Sequence, residues 1–545
     1  MNSLKYIFYI TSIFLLFITC KKREKLDLST IQTYHHIAIP LVNSQIGIDE
    51  LLKRDTGGLV TTNPQTGEIL LAYESSSISI DAASIIKLPN DTFSSSVFPD
   101  PVNSIPIGIS VDTTITFIKS LSFPNNEELK SINFSYGEFT LNIANNLRHE
   151  VDVKINIPSL VRKNTSSLIS YDQDFLIDPN DSIDTLTNLG DYIFDLTLGS
   201  PNYNQMKIEF IVTINGSGSS IIIGEDLTID FTMENLEFSR IDGDLKSREI
   251  PIAPSTVNLS IFNVSNSALN FSLTNPKIEH TIVNSFGFSA DLGMNTMYYE
   301  NLSGGVQRDI KYDFFGITPL SAPFTFSPSI EKPYLDGDST ITRIFMDNNN
   351  SNIDSLVNAT PKTVTSSPFV KLNPNPLTDT TNYILSTSKI SVSTEITLPL
   401  EGYAEGWIMR DTIPFNAKVD ELFSSETSID SAIIKFTTTN YFPLDVKIDL
   451  ILLDSTSTTI DTIADSELII ASGVIDANGK ITTAQAVPTK LPCDGTCVDN
   501  LNNTRFIILR LSIGTTGVSS QESVKIYDDY KIELDIALLI SGRMF

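Results

Sequence analysis

Apolar and polar residues alternate one for one through segment after segment of this chain. FTLNIAN (139–145), VDVKINI (151–157), MKIEFIVTI (206–214), STVNLSIF (255–262), IEHTIVN (278–284) and YKIELDIALLI (530–540) all follow this period of two. Successive side chains of a strand point to opposite faces, so each segment predicts a strand with one buried face. Turn-forming clusters separate them: DPNDS (178–182), NGSGSS (215–220), DNNNSN (347–352) and DANGK (476–480). Strands that follow one another without helices between them imply antiparallel sheets, stacked as sandwiches or closed as barrels. Ile, Ser, Thr, Asn and Asp are abundant and the good helix formers sparse, which agrees with strands and turns. The best helix candidate is short, Ile48 to Lys53. The expected fold is all-β: tandem antiparallel β-sandwich-like domains.

A repeat lies inside the alternation. FTLNIANNLRHEVDVKINI, from Phe139, aligns without gaps with IKFTTTNYFPLDVKIDLIL, from Ile434. Asn145 meets Asn440 and Leu147 meets Phe442. IEHTIVNSFGFSADLGM, from Ile278, places Asn284 and Phe286 at the same two positions. The signature is a strand ending in Asn, a large apolar residue two further on, then another strand. An Asn there predicts a bend or bulge, because its amide bonds to nearby backbone; a row of amides reading sugar hydroxyls is the ligand alternative. A second pair, YNQMKIEFIV (203–212) and YDDYKIELDI (527–536), suggests a shared later strand. These signals divide the chain into a signal peptide (1–19), a tether (20–33), an N-terminal β-rich segment (34–100) and three β-domains. The domains are expected at 101–222, 223–395 and 396–545.

The first residues read as an address. Lys5 precedes an apolar run from Ile7 to Ile18, too short for a membrane-spanning helix and suited to an export signal. Phe17-Ile18-Thr19-Cys20 resembles a bacterial lipobox, in which the cysteine thiol takes a lipid and becomes the first residue of the mature protein. Phe17 and Thr19 depart from the commonest residues at their positions. An uncut anchor and an ordinary secretory signal are the alternatives. If Cys20 carries lipid, two of the three cysteines remain. Cys493 and Cys497, in LPCDGTCVDN, suit a disulfide closing a tight turn in an oxidising compartment. A metal site there lacks a nearby His, and a redox pair would normally have one residue fewer between its cysteines.

Charge and chemistry narrow the function. With 37 basic and 65 acidic residues the chain carries a net charge of −28, which disfavours nucleic acid and close contact with anionic lipid. The four histidines are His35, His36, His149 and His280. His35 and His36 are adjacent and would point to opposite faces of a strand; His149 and His280 lie in repeat strands and read as packed side chains. No nucleophile elbow, phosphate loop or zinc-protease helix appears. Carboxylates are plentiful enough for a glycosidase pair, yet Trp407 is the lone tryptophan. Trp407 and the nearby Tyr403 are the candidate ligand contacts, by stacking on a sugar, with packing between strands as the alternative. Three acidic turns could hold calcium, at Asp178, Asn180, Asp181 and Asp184, at Asp336 and Asp338, and at Asp242 and Asp244, but each lacks the closing Glu of the calcium loop. No metal and no cofactor is expected.

With LLFITC, IAIPLVNSQIGIDELL, TGEILLAYE and TNYFPLDVKIDLILLD in view, the chain resembles the large β-rich surface lipoproteins of Bacteroidota-type bacteria. The resemblance implies a protein held on the outer membrane by an N-terminal lipid. Lys21, Lys22 and Arg23 follow the cysteine where acidic residues would resemble a surface-export signal, so both sides of that membrane stay open. The expected role is non-enzymatic: a structural or protein-interaction scaffold meeting another envelope protein through exposed strand edges. A glycan-binding module around Trp407 and Tyr403, a lipid-binding protein with an apolar β groove, and an enzyme with clustered carboxylates follow in that order.

Overall fold

The computed structural model describes residues 33–48, 59–101, 104–163, 169–263, 270–301, 305–313, 318–375, 382–415, 427–476, 480–515 and 523–544. Strands account for 64% of it and helix for 6%, all in antiparallel sheets, so the fold is all-β as the alternation requires. Cys20, the signal peptide and the tether as far as residue 32 lie outside the described residues. So does the expected helix beyond Ile48.

One plan recurs three times. In unit 1 a first sheet runs in the order Asp91–Val97, Leu227–Asp244, Glu128–Asn145, Asp181–Asn188. A second sheet runs Ser110–Ser120, Gln205–Asn215, Glu150–Arg162, Ser170–Ile177. Unit 3 repeats the first sheet as Thr33–Gly47, Lys531–Met544, Thr427–Asn440, Gln485–Cys493. Its second sheet is Trp407–Pro414, Phe506–Thr515, Leu444–Leu453, Thr459–Ile470. Unit 2 follows suit. Ile69–Glu74 and Ile78–Asp81 lie end to end along one side of Lys389–Pro399, followed on its other side by Lys277–Asn284 and Thr340–Met346. Facing them, Arg248–Pro251 and Ser255–Asn258 lie end to end along one side of Pro361–Leu372, with Ala290–Asn301 and its two short partners on the other. Two four-stranded sheets with the chain passing back and forth between them make a jelly roll. The alternating apolar faces meet between the sheets, as Leu141, Ile143, Val153, Ile155 and Phe210 do in unit 1, all buried.

The repeated Asn stands where the chain leaves the first sheet for the second. Asn145 donates from Nδ2 to the carbonyls of His149 (2.8 Å), Ile177 (3.2 Å) and Asp178 (3.0 Å), and its Oδ1 accepts from the Leu147 amide (3.0 Å). Asn284 donates to Phe288 (3.0 Å) and Glu331 (3.1 Å) and accepts from Phe286 (3.0 Å). Asn440 donates to Leu444 (2.7 Å) and Ala471 (3.1 Å) and accepts from Phe442 (2.9 Å). All three are fully buried. Turning between sheets takes backbone groups out of their ladders, and a buried unpaired carbonyl or amide is costly. The amide side chain has a peptide group's donors and acceptor and replaces the missing partners. Leu147, Phe286 and Phe442, also buried, close the core beneath. The bend expected from the sequence is therefore a three-way junction between the strand that ends, the strand that begins and a third segment returning beside them.

Four expectations change. The N-terminal segment 34–100 is not a body of its own: Thr33–Gly47 completes unit 3, Ile69–Asp81 completes unit 2 and Asp91–Val97 completes unit 1. Unit 1 is thus inserted between the first and second strands of unit 2, and that pair between the first and second strands of unit 3. The boundary at 222 also moves, because Leu227–Asp244 is the closing strand of unit 1. The strands of the second sequence pair are not equivalent. Gln205–Asn215 lies in the second sheet of its unit and Lys531–Met544 in the first sheet of its own. Lys-Ile-Glu alternation suits any strand with one wet face. The stretch 255–262 is only partly a strand, since the chain turns in a 3-10 helix at Ser260–Asn263.

Neighbouring units are joined by backbone. Asn382–Leu385 pairs with Arg240–Gly243 of unit 1, where the Arg240 guanidinium lies 4.5 Å from the centre of the Tyr383 ring. Between units 2 and 3, Asn270–Leu273 pairs with Gly402–Glu405, and Gly402 with Val524. Lys525 bonds Glu68 at 2.6 Å, and that hydrogen bond holds the Glu68 carboxyl below its usual range. Deleting residues up to Gly47 should uncover the edge of Lys531–Met544 and remove Ile39, Leu41, Val42 and Ile46 from the unit 3 core, at about 2 kcal/mol per buried side chain. Hydrogen exchange should then show unit 3 amides exchanging fast while those of unit 1 stay protected. Equal loss in both units would mean that the nested domains do not keep separate stabilities.

Candidate functional site

The residues singled out for chemistry are mostly engaged in structure. His149 is fully buried; its Nδ1 accepts from the Ser217 amide (3.2 Å) and lies 3.1 Å from the Ser217 hydroxyl. His280 is fully buried in unit 2, with Nδ1 3.0 Å from Thr394 Oγ1 and its ring beside Phe326. The two sit in different units. His36 lies 2.7 Å from the Ser541 hydroxyl on the unit 3 edge strand. The acidic turns serve as clamps. Arg240 holds Asp242 and also reaches Asp336, and Lys246 holds Asp244 (2.8 Å) and Glu128 (2.7 Å). The Asp178 carbonyl accepts from Asn145, and Asp184 accepts from Asn142. No group of three metal-ligating side chains occurs among the described residues.

Cys493 and Cys497 form a disulfide. It spans the end of strand Gln485–Cys493 and the start of a short helix, Gly495–Asn503, whose first turn is capped by the Asp494 side chain accepting from the Cys497 amide (2.9 Å). The staple is therefore on a helix start. Tyr403 is half-buried on Glu401–Glu405, next to Asn270–Leu273. Trp407 begins a different strand, paired with Ile513, and its side chain lies outside the described residues.

The open feature is a seam along unit 1. One side of this jelly roll is stitched shut: Tyr192–Asp195 pairs with both sheets, at Ser131–Asn133 and at Leu160–Arg162. The opposite side lies between the edge strands Asp91–Val97 and Ser110–Ser120. Phe93 packs edge-on against Phe117 (5.4 Å), and Lys119 reaches Asp91 (3.3 Å). Beyond Phe117, towards Val111, the sheets part around a groove of about 610 Å³. Val97, Phe98, Ile105, Ile109, Val111 and Ile214 line it. Phe98, Ile109 and Val111 are 67%, 54% and 48% exposed, although an apolar wall would ordinarily be covered.

The rim is built, not slack. Ile105 and Ser219 bond through the backbone (3.0 Å), as do Gly218 and Ile105 (2.8 Å) and Gly216 and Ile109 (2.9 Å). Gly216 is needed there, since a Cβ would stand 2.1 Å from the Pro106 carbonyl oxygen. Asp100 and Asp112 add negative charge to the lining; Asp112 accepts from the Thr213 hydroxyl (2.8 Å). The reading from sequence missed this groove. Two signals mark it: Ile105, Ile107 and Ile109 around Pro106 and Gly108, and three consecutive isoleucines at 221–223 behind a Gly/Ser turn. Turns so rich in isoleucine are out of keeping with solvent, and Ile107 and Ile223 are 82% and 89% exposed.

No family model matches the chain and no curated protein matches it. Solved structures give faint likenesses. A protein assigned as secreted, from Parabacteroides distasonis, is 16% identical over 55% of this chain and 88% of its own, with a TM-score of 0.32. PNGase F, a glycosylasparaginase from Flavobacterium meningosepticum, is 10% identical over 57% of this chain and 96% of its own, with a TM-score of 0.14. A triple jelly roll protein of an archaeal virus is 8% identical over 93% and 91%, with a TM-score of 0.09. At these scores the jelly-roll assignment stands on strand order alone. No helix among the described residues is long and apolar enough to cross a membrane.

Two outcomes test these placements. Replacing Asn145 by Ala strands three carbonyls and an amide in a dry corner, so unit 1 should lose about 2–4 kcal/mol; urea unfolding of Asn145→Ala within experimental error of wild type would refute the junction. Burial holds the His280 imidazole down to about 4, against an ordinary 6.5. It stays neutral in the fold and gains a proton on unfolding, so unit 2 loses stability as pH falls from about 6.5 towards 4, by about 3 kcal/mol at the low end. Denaturant midpoints of His280→Phe should fall less over that window than those of wild type.

Proposed function

We propose that this protein is a non-catalytic scaffold of the bacterial envelope, tethered by lipid at Cys20, that holds another envelope protein away from the membrane. The observation that carries this reading is where the two ends of the device fall. Thr33, the first described residue after the tether, pairs with Met544 and opens the edge strand of unit 3. The open seam belongs to unit 1, joined to unit 3 by way of unit 2. Anchor and contact surface thus sit on different units of a body whose sheets run on through backbone pairing. The tether from Cys20 to Thr33 spans at most about 45 Å. A net charge of −28 favours a body standing off anionic lipid. The disulfide fits an oxidising compartment.

Cells fed a clickable fatty acid test the reading. Wild-type protein should take the label and Cys20→Ala should lose it, and crosslinking before extraction should trap a defined protein on the wild type. An unlabelled wild type, or a labelled one that traps no protein, would sink it.

A further inference from the structure

The geometry points to strand addition at unit 1: Ser110–Ser120 receives an extended, basic segment of a partner protein, which seats a large apolar side chain in the neighbouring groove. This deepens the scaffold reading and rests on it. Ser110–Ser120 is 11 residues long and pairs on one side only, with Gln205–Asn215 in an unbroken register. In an antiparallel ladder alternate residues turn their amides and carbonyls outward, and along this edge they meet no backbone partner among the described residues. Proteins blunt such edges with proline, bulges, charge or brevity. The equivalent edge of unit 2 is split into Arg248–Pro251 and Ser255–Asn258. That of unit 3 is Trp407–Pro414, 8 residues ending in proline. The unit 1 edge has no proline, bulge or break, and its two charges, Asp112 and Lys119, stand near its ends. Its centre, TTITFI at 113–118, has no charge, proline or glycine, a composition that pairs with other strands if left bare.

The chemistry of the occupant follows from three facts. Backbone donors and acceptors in a row ask for another backbone, which an acyl chain cannot supply. The groove is lined mainly by apolar side chains and opens at Val111, on the inward face of the same strand, so an added strand brings every second side chain towards it. Asp100 and Asp112 carry no ion pair among the described residues, and Lys119, the one cation of the strand, is engaged by Asp91. Added to a net charge of −28, this selects a basic partner and repels a second copy.

The test uses the full mature protein and a synthetic peptide of the strand's length, alternating Lys or Thr with Val around one Phe. Two twins accompany it: one with Glu for Lys, and one N-methylated at alternate amides. The parent peptide should bind and slow hydrogen exchange along 110–120. Both twins should bind at least about tenfold more weakly, as should the parent to Val111→Asp; a thermal melt of that variant matching wild type shows that the fold is kept. Equal binding of the N-methylated twin, or protection elsewhere, overturns the proposal. So does dodecanoate binding in the groove without peptide binding, which would make it a lipid site. Self-association abolished by Val111→Asp would make the occupant a second copy and overturn it equally. If the peptide fails while Cys20 labelling and crosslinks persist, this site alone is wrong; if label and crosslinks are absent, the scaffold reading falls.

Discussion

The architecture depends on one polar interaction repeated three times in dry surroundings. A jelly roll must carry its chain from one sheet to the other, and at a buried crossing backbone groups lose their ladder partners with no water to replace them. Asn145, Asn284 and Asn440 answer this with the same bonds: Oδ1 to the amide two residues on, Nδ2 to the carbonyl four residues on and to a returning segment. Asp would lack the donors, and Leu would leave every group unpaired. What surrounds the Asn varies freely. His149, Phe288 and Leu444 hold the same place, because only their backbone carbonyls take part. A buried polar side chain that satisfies several backbone groups at once also fixes strand register, since a slip of one residue would break all of its bonds together.

The nesting has a kinetic consequence. Thr33–Gly47 finds its partner in Lys531–Met544, almost the whole chain away, and Ile69–Glu74 pairs with Lys389–Pro399. Only unit 1 draws its strands from one continuous stretch, Asp91 to Asp244. Long loops cost entropy before their contacts return it. Unit 1 should therefore form first and bring the ends of unit 2 together, and unit 2 should do the same for unit 3. Until the last residues are in place, the N-terminal strand has no sheet to join.

Much of this was legible in the sequence, and the rest was hidden for physical reasons. Alternation gave the all-β class because a strand's period is a local property. The Asn spacing gave three units because the corner imposes a side chain that no ordinary strand position demands. LPCDGTCVDN gave the disulfide. The partners of residues 33–97 could not be read, because edge strands carry the same alternation whichever sheet they complete. The likeness of YNQMKIEFIV to YDDYKIELDI misled for that reason: it reports a strand with a dry face and a wet face, which both sheets supply. The acidic turns suggested calcium because carboxylates look alike until their cations are placed, and Arg240 and Lys246 are assigned only by the fold.

The seam sets this logic against itself. Two of the three equivalent edges are blunted against pairing with another strand. Arg248–Pro251 breaks off at proline, and Trp407–Pro414 ends at one. Ser110–Ser120 instead combines length, straight register and an uncharged β-branched centre, beside a groove whose walls are isoleucine, valine and phenylalanine. A defect of this size would be an aggregation hazard. Its rim is nonetheless held by backbone bonds and a glycine that no other residue can replace, and Phe93 packed on Phe117 closes the seam at one end of the groove. Rigid support around an uncovered apolar surface is the mark of a surface shaped to be covered by something else.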